Sequence, residues 1–260
     1  MRTRARDAGE MAAAVAGALA LAGIGWALLS FAPTAEIWEA LAPGDCAEYC
    51  EAHDRCGVLA TRAPVQQPVN AVSSGLYLAA GAWVYRRRRD ALGLLLLASG
   101  SLLAVGSFLF HAAVAVVFNG LDVVGIYACL LAVVARGWHA NFGGSPARVA
   151  AAFLALNPVL AAGHGVLTIA PLAAVLLVAL AFLFARYRGR TGASARTAWA
   201  AAVLLVAGFA LHKADQAKLA CAPDGLLQAH TLWHACTALA LALGDRVFAG
   251  GRSAVPPAAP

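Results

Sequence analysis

The sequence predicts an all-α integral membrane protein that crosses the bilayer eight times. Hydrophobic residues make up 62% of the chain and charged residues only 12%, whereas a soluble domain carries about 25% charge. The apolar residues fall into stretches close to the roughly 20 residues that a helix needs to cross the hydrocarbon core. Basic residues gather at one end of alternate stretches, a pattern that orients membrane helices. These features exclude an ordinary soluble domain and a disordered chain.

Eight apolar stretches define the predicted spans. The fourth and fifth are short, and the fifth contains Asn157 and Pro158, which we expect to kink it because proline removes a backbone hydrogen bond. Long connections precede the second and the eighth span, and the other connections are tight. The spans, in chain order, are Met11–Phe31, Val69–Tyr85, Ala91–Ala115, Leu121–Arg136, Val149–Gly163, Val166–Ala185, Thr197–His212 and Leu226–Leu243.

The chain divides into four parts. Residues 1–31 form a basic start and an additional N-terminal span, and 32–68 form an outer loop that contains cysteines. Residues 69–248 form a seven-helix domain, and 249–260 a disordered cytoplasmic tail. A signal peptide is the alternative for the first span. Its apolar stretch exceeds the usual signal length of about 7–15 residues, which favours a retained anchor.

The basic residues orient the predicted spans. Fifteen of the 19 basic residues flank the spans on one side, and the other four are Arg55, Arg62, Lys213 and Lys218. The positive-inside rule makes the richer side cytoplasmic, so both termini of this multi-pass protein of the cell membrane are expected inside. The basic residues are not interleaved with aromatic ones, so we expect no nucleic-acid partner. No obligatory protein partner is predicted.

Four of the six cysteines map to the outer face: Cys46, Cys50, Cys56 and Cys221. Thiols in an oxidising compartment form disulfides, and we predict that Cys221 bonds one of the other three. A metal site that uses Cys46 and Cys50 is the alternative, with a looser spacing than metal motifs show. The two remaining cysteines lie within spans and are interpreted as small apolar residues.

Several polar residues fall in the outer half of the predicted spans, where ionisable groups are costly and usually functional. They are Ser107, His111, Asp122, His212, His230 and His234. The alternating direction of the spans brings these residues, which are distant in sequence, to one depth. We interpret His212, like His164, as an interfacial histidine without a role in a site.

The spacing of three histidines predicts a metal site. His230 and His234 are four residues apart, so both rings lie on one helix face, and His111 from another helix could be the third ligand. Three protein ligands and one open position are typical of catalytic zinc. Asp122 could take a proton or orient a ligand, or simply cap its helix. Ser107 lies one turn before His111, and its alternative is a bond to its own helix.

Four segments occur in a characteristic order along the chain. They are QPVNAVSSGLYLAAG (Gln67–Gly81), GSFLFHA (Gly106–Ala112), Leu121-Asp122 and HTLWHACTALA (His230–Ala240). Together they resemble the alkaline ceramidases and the wider superfamily of membrane hydrolases around them. The resemblance covers nearly all of the seven-helix part and implies a seven-helix hydrolase bundle, to which the first span is an addition.

The resemblance also implies an activity. Family enzymes are zinc-dependent amidohydrolases that cut the amide of ceramide, a membrane lipid, by attack of a zinc-activated water. The matching zinc ligands are His111, His230 and His234. Asp122 would move the proton to the leaving amine, and Ser107 would donate to the developing oxyanion.

A calcium site is not carried over by the resemblance. Family enzymes hold calcium in an acid-rich segment before the first core helix, but Gln67 stands where an acid is expected. The nearby acids Asp45, Glu48, Glu51 and Asp54 do not align with that pattern. A different lipid amide or ester is therefore an alternative substrate.

Two other classes of function are open at this point. The histidines could be axial ligands of a non-covalent haem in an electron-transfer bundle, since no CxxCH motif is present. Alternatively, the chain could be a non-catalytic receptor or structural member of the same superfamily that keeps the metal for stability.

Overall fold

The computed structural model describes residues 2–31, 38, 41, 43–45, 48–51, 65–164, 169–191, 193, 195–219 and 221–248. In this part of the chain the regular structure is helical, apart from an isolated bridge between Pro43 and Ala115. The helices, in chain order, are α1 (Arg2–Phe31), α2 (Pro68–Ser73), α3 (Gly75–Arg88), α4 (Ala91–Ala113), α5 (Val116–Phe142), α6 (Pro146–His164), α7 (Ile169–Thr191), α8 (Ala195–Gln216) and α9 (Ala229–Val247).

Six of the described helices are long and apolar enough to cross a membrane: α1, α4, α5, α6, α7 and α8. The chain therefore has the makeup of an all-helical, multi-pass membrane protein, as predicted. The predicted second span is divided into α2 and α3 next to Ser74. The predicted eighth span, α9, carries two histidines and a charged C-terminal turn. Neither element is among the six, since α2 and α3 are each too short to cross a membrane alone and α9 is less apolar, and the count of eight spans stays a prediction.

The predicted ends of the fourth span are wrong. It was expected over Leu121–Arg136, whereas α5 runs from Val116 to Phe142. Arg136 is buried inside this helix because two carboxylates neutralise it. Its terminal nitrogens donate to both oxygens of Asp90 at 2.9 Å, and its Nε donates to Asp245 at 2.8 Å. The fifth span is also longer than predicted, since α6 continues through Pro158 to His164.

A tight turn joins α3 to α4 at the same end of the bundle. Arg89 has a left-handed backbone (φ 48°) and ends α3, and Asp90 caps α4 by accepting a hydrogen bond from the Gly93 amide at 2.6 Å. Burial acts to raise the pKa of Asp90, but the Arg136 guanidinium and this cap bring it below its usual value. The turn and the Arg136 contacts therefore link α3, α4, α5 and α9 at one end.

Close helix contacts fix the relative positions of α3, α4 and α5. A Cβ atom at Gly100 would lie 2.6 Å from the Tyr77 carbonyl oxygen, and one at Gly125 would lie 2.5 Å from the Leu103 Cα. Small residues permit such approaches between membrane helices. Helix α1 lies against the start of α3, where a Cβ at Gly75 would be 2.9 Å from the Ala18 carbonyl oxygen.

Candidate metal centre

Three histidines meet at the end of the bundle opposite Arg136. His111 lies in the last turn of α4, and His230 and His234 occupy the first two turns of α9. Because α4 and α9 run in opposite directions with respect to this end, the end of one helix meets the start of the other. All three side chains are buried, with 1 to 3% of their surface exposed.

The three imidazoles are arranged to bind one ion. One ring nitrogen from each lies within 4.8 Å of the other two. The ring centroids are 4.8 Å apart for His111 and His230, 5.4 Å for His111 and His234, and 4.6 Å for His230 and His234. Zinc–nitrogen bonds of about 2.0–2.1 Å place tetrahedral ligand atoms about 3.4 Å apart. The cluster therefore needs only a small contraction to hold a metal.

The tautomer of His234 follows from its neighbour Ser73. The Ser73 hydroxyl donates its one hydrogen to the Asn70 carbonyl oxygen at 2.9 Å and lies 2.7 Å from His234 Nδ1. With its hydrogen used, Ser73 accepts from His234, so Nδ1 of this ring is protonated. The lone pair is then on Nε2, the nitrogen that remains for a metal.

His111 is oriented in the same way. Its Nδ1 lies 2.6 Å from the side-chain oxygen of Gln67, which only accepts, so Nδ1 is again the protonated nitrogen. The Gln67 backbone amide also donates to the His111 carbonyl oxygen at 3.0 Å. Gln67, which stands where the resemblance places an acid, is thus the hydrogen-bond partner of the candidate metal ligand His111.

His230 has two partners, both from α8. His212 Nδ1 lies 3.4 Å from His230 Nδ1, and the Asp215 carboxylate accepts from the His230 backbone amide at 3.3 Å. The interpretation of His212 as a histidine apart from the site is therefore wrong. The ring packs 5.3 Å from Trp233 and 5.4 Å from His230, measured between centroids.

A disulfide joins the outer loop to the segment before α9. Cys50 bonds Cys221, which confirms that Cys221 pairs with one of the three upstream cysteines. The Cys50 amide donates to Asp215 at 2.9 Å, so one carboxylate holds both the loop and the start of α9. Because Cys50 is disulfide-bonded, it is not available as a metal ligand. Cys46 and Cys56 lie outside the described residues.

The neighbours of Cys50 cover the cluster and cap α2. The Tyr49 ring centroid lies 4.2 Å from that of His230 and 5.5 Å from that of His111. Burial, and then the charge of Glu48, raises the pKa of the Tyr49 phenol, which stays neutral. Both oxygens of Glu51 accept amides at the start of α2, from Val69 at 2.7 Å and Asn70 at 2.9 Å.

Glu51 is not free to bind calcium, because its carboxylate is engaged at the α2 terminus. Burial raises the pKa of this group to about 7, although the two amide donors act against the shift. A negative charge at a helix N-terminus is favourable. Glu48 accepts from Gln216 at 2.6 Å. Both acids thus have structural contacts in the described residues.

Ser107 and Asp122 meet next to the histidine cluster. Ser107 lies one helical turn before His111, and its hydroxyl hydrogen-bonds the Asp122 carboxyl. A Cβ at Gly106 would lie 2.9 Å from the Asp122 backbone nitrogen, so only glycine allows this approach of α4 to α5. Helix α5 is capped by Ala115, and Asp122 lies within the helix. The alternative of Asp122 as a helix cap is therefore wrong.

The comparison with known proteins finds no match, either among models of protein families or among curated proteins. The fold and the site therefore define the class from the structure alone. It is an all-helical protein with the character of a multi-pass membrane protein, in which three buried histidines could hold a metal ion.

Proposed function

We propose that this chain is a zinc-dependent membrane hydrolase that cleaves a lipid amide of the ceramide type. The convergence of His111, His230 and His234 from two helices carries the proposal, since three imidazoles and one open position suit catalytic zinc. Ser107, one helical turn before His111, contacts Asp122 of α5, and this pair supplies a carboxyl and a hydroxyl for acid–base chemistry. The segments that resemble the alkaline ceramidases contain all five residues.

The proposal includes eight spans, with both termini in the cytoplasm and the site toward the extracytoplasmic face. Two observations support this orientation. The disulfide between Cys50 and Cys221 lies at the histidine end, and disulfides form in oxidising compartments. The arginines in the last turns of α3 and α9 lie at the other end, as expected for a cytoplasmic face.

The proposed reaction is hydrolysis of a carbon–nitrogen bond. A bound Zn²⁺ supplies a Lewis acid that polarises a carbonyl and lowers the pKa of water. Asp122 takes a proton from the attacking water, whose oxygen bonds the acyl carbon. Asp122 then delivers that proton to the amide nitrogen as the bond breaks, giving a carboxylic acid and an amine. Ser107 orients this carboxyl and can turn its hydroxyl toward the developing oxyanion.

The surrounding residues hold the histidines for this reaction. Gln67 and Ser73 keep Nδ1 of His111 and His234 protonated, so that both Nε2 atoms remain ligands. Tyr49 lies against the rings and excludes water from that side, which strengthens electrostatic interactions in the site.

One observation favours a second candidate, a non-catalytic member that keeps zinc for stability. Tyr49 is only 7% exposed and covers the cluster, whereas a catalytic metal needs an open coordination position that water and substrate can reach. The close spacing of the three rings, in contrast, disfavours a haem, because it leaves no gap for a porphyrin plane between two of them.

The test is a hydrolysis assay on the full chain purified with zinc and reconstituted with a fluorescent ceramide. Release of fatty acid by the wild type, with loss in Asp122→Asn at unchanged zinc content, supports the enzyme. Full zinc occupancy without release from any amide supports the non-catalytic candidate. Release of fatty acid from a lipid ester but not from an amide would change the proposed substrate class and leave the proposed site unchanged.

A further inference from the structure

A cavity of about 200 Å³ lies at the end of the bundle opposite the histidines, between the last turns of α3 and α9. It is lined by Trp83, Val84, Arg87, Arg88, Asp245 and Arg246. Arg87 and Arg246 are exposed, so the cavity opens at the surface. Neither the histidine cluster nor the proposed reaction uses any of these residues.

The lining is positively charged. It contains three arginines and one aspartate, which gives a net charge of +2. That aspartate already accepts hydrogen bonds from Arg136 at 2.8 Å and from Arg88 at 3.3 Å. The cavity therefore favours an anion. Guanidinium groups from two helices are suited to a phosphate, which arginine binds through paired hydrogen bonds.

Trp83 provides a second, independent indication that the cavity holds a ligand. Only 4% of its surface is exposed, and its indole N–H has no hydrogen-bond partner among the described residues. An indole nitrogen only donates, and a buried donor without an acceptor is costly. The Arg87 guanidinium lies 4.9 Å above the ring centroid, so the ring is held in place beside the cavity. The preference of membrane proteins for basic residues on one side does not explain this N–H.

We propose that this cavity binds the phosphate group of an anionic phospholipid. The ligand would accept from the Trp83 indole and the cavity arginines, and would link α3 to α9. A lipid is favoured over free phosphate because α3 and α9 pack against the long apolar helices α4 and α8, so the arginines at their ends are expected at the level of the headgroups. Basic pockets between membrane helices bind anionic headgroups elsewhere.

The test is native mass spectrometry on the full-length protein in detergent, titrated with dioleoyl phosphatidylglycerol, dioleoyl phosphatidylcholine or inorganic phosphate. We expect one tightly held phosphatidylglycerol and binding of phosphatidylcholine that is at least tenfold weaker. The double variant Arg87→Gln, Arg246→Gln should weaken phosphatidylglycerol binding by about 25-fold, from about fivefold for each of the two charges. Its control, Arg86→Gln, Arg89→Gln, also removes two positive charges, from arginines next to Arg87 and Arg88 that do not line the cavity, and should change binding less than threefold.

Trp83→Phe separates the N–H group from the aromatic ring. It keeps the surface under Arg87 and removes an unsatisfied donor, so its melting temperature without lipid should equal or exceed that of the wild type. The increase in melting temperature on adding phosphatidylglycerol should shrink. Equal shifts in Trp83→Phe and the wild type, equal binding of the two lipids, or equal losses in both double variants would each overturn the proposal. If inorganic phosphate alone displaces the lipid at equal concentration, the lipid assignment fails.

Discussion

The contact between Ser73 and His234 makes a sharp prediction about zinc affinity. Ser73→Ala removes the acceptor of His234 Nδ1–H, which leaves a buried donor unsatisfied. Such a loss costs about 1–3 kcal/mol. If the cost falls on the bound state, zinc affinity drops by about 5- to 140-fold, at about 1.4 kcal/mol for each factor of ten. Partners of metal-bound histidines typically contribute 10–100-fold.

Ser74→Ala is the matched control for this variant. Ser74 is adjacent and fully buried, and its hydroxyl donates to the same Asn70 carbonyl oxygen, at 3.1 Å, without contacting a histidine. Zinc affinity is measured in detergent by competition with a chromophoric chelator, and thermal stability is measured in parallel. We expect similar losses of stability in both variants and weaker zinc binding in Ser73→Ala alone. Equal zinc affinity in Ser73→Ala and Ser74→Ala would refute the assigned tautomer.

Three further predictions concern the elements that hold the site. Gly106→Ala should lower the melting temperature and the hydrolytic rate, because its Cβ meets the α5 backbone at 2.9 Å, and overpacking costs about 1–3 kcal/mol. Gly120→Ala should change neither, because no atom of the described residues lies within 4 Å of a Cβ at this position. Cys221→Ser should lower both the melting temperature and the zinc content, whereas Cys236→Ser, at a free cysteine, should not. The pKa of Glu51 is raised from 4.5 to about 7. Its contribution to the stability of the fold is therefore complete below about pH 4.5 and is lost as the pH rises through 7. Glu51→Gln should remove this fall in melting temperature between pH 4.5 and 7.

Each of these predictions has a contradicting result. A rate in Gly106→Ala equal to that in Gly120→Ala would show that the helix approach does not position Ser107. Full zinc content in Cys221→Ser would show that the disulfide-bonded outer loop is not needed for the metal site. A melting temperature that falls equally between pH 4.5 and 7 in the wild type and Glu51→Gln would assign the pH dependence to other groups.

The candidate ligands could be found from the sequence because two simple rules place them. Helical periodicity puts His230 and His234 on one face, and the alternating direction of the spans brings His111 to their depth. Burial of all three, and their convergence, follow in the structure. Neither rule depends on the details of packing, so the spacing of the histidines and the direction of the spans are enough to predict the three candidate ligands.

The partners of these histidines could not be predicted in the same way. His212 contacts His230 only because α8 packs beside α9, and that pairing has no signature in the spacing of polar residues. Tyr49 and Glu51 reach the site through a loop whose path depends on a disulfide and on the Asp215 carboxylate. Long-range contacts of this kind require the tertiary fold.

Hydropathy identifies some of the helices less clearly than others for a similar reason. Among the helices around the candidate site, α4 and α5 are clearly apolar, whereas α2, α3 and α9 are shorter or less apolar, so composition alone identifies these three least clearly. Arg136 looked like the end of a span because a lone arginine is costly in a membrane. Its two carboxylate partners, at 2.8 and 2.9 Å, come from distant parts of the chain and make its burial possible.

The metal content of the purified protein tests the central claim most directly. The full chain is purified from cells grown with zinc, and metals are measured by inductively coupled plasma mass spectrometry. We predict about one zinc per chain, with loss in His111→Ala, His230→Ala and His234→Ala and retention in His139→Ala, a control in the last turn of α5. A folded wild type without stoichiometric metal, or ligand variants that keep it, would contradict the account.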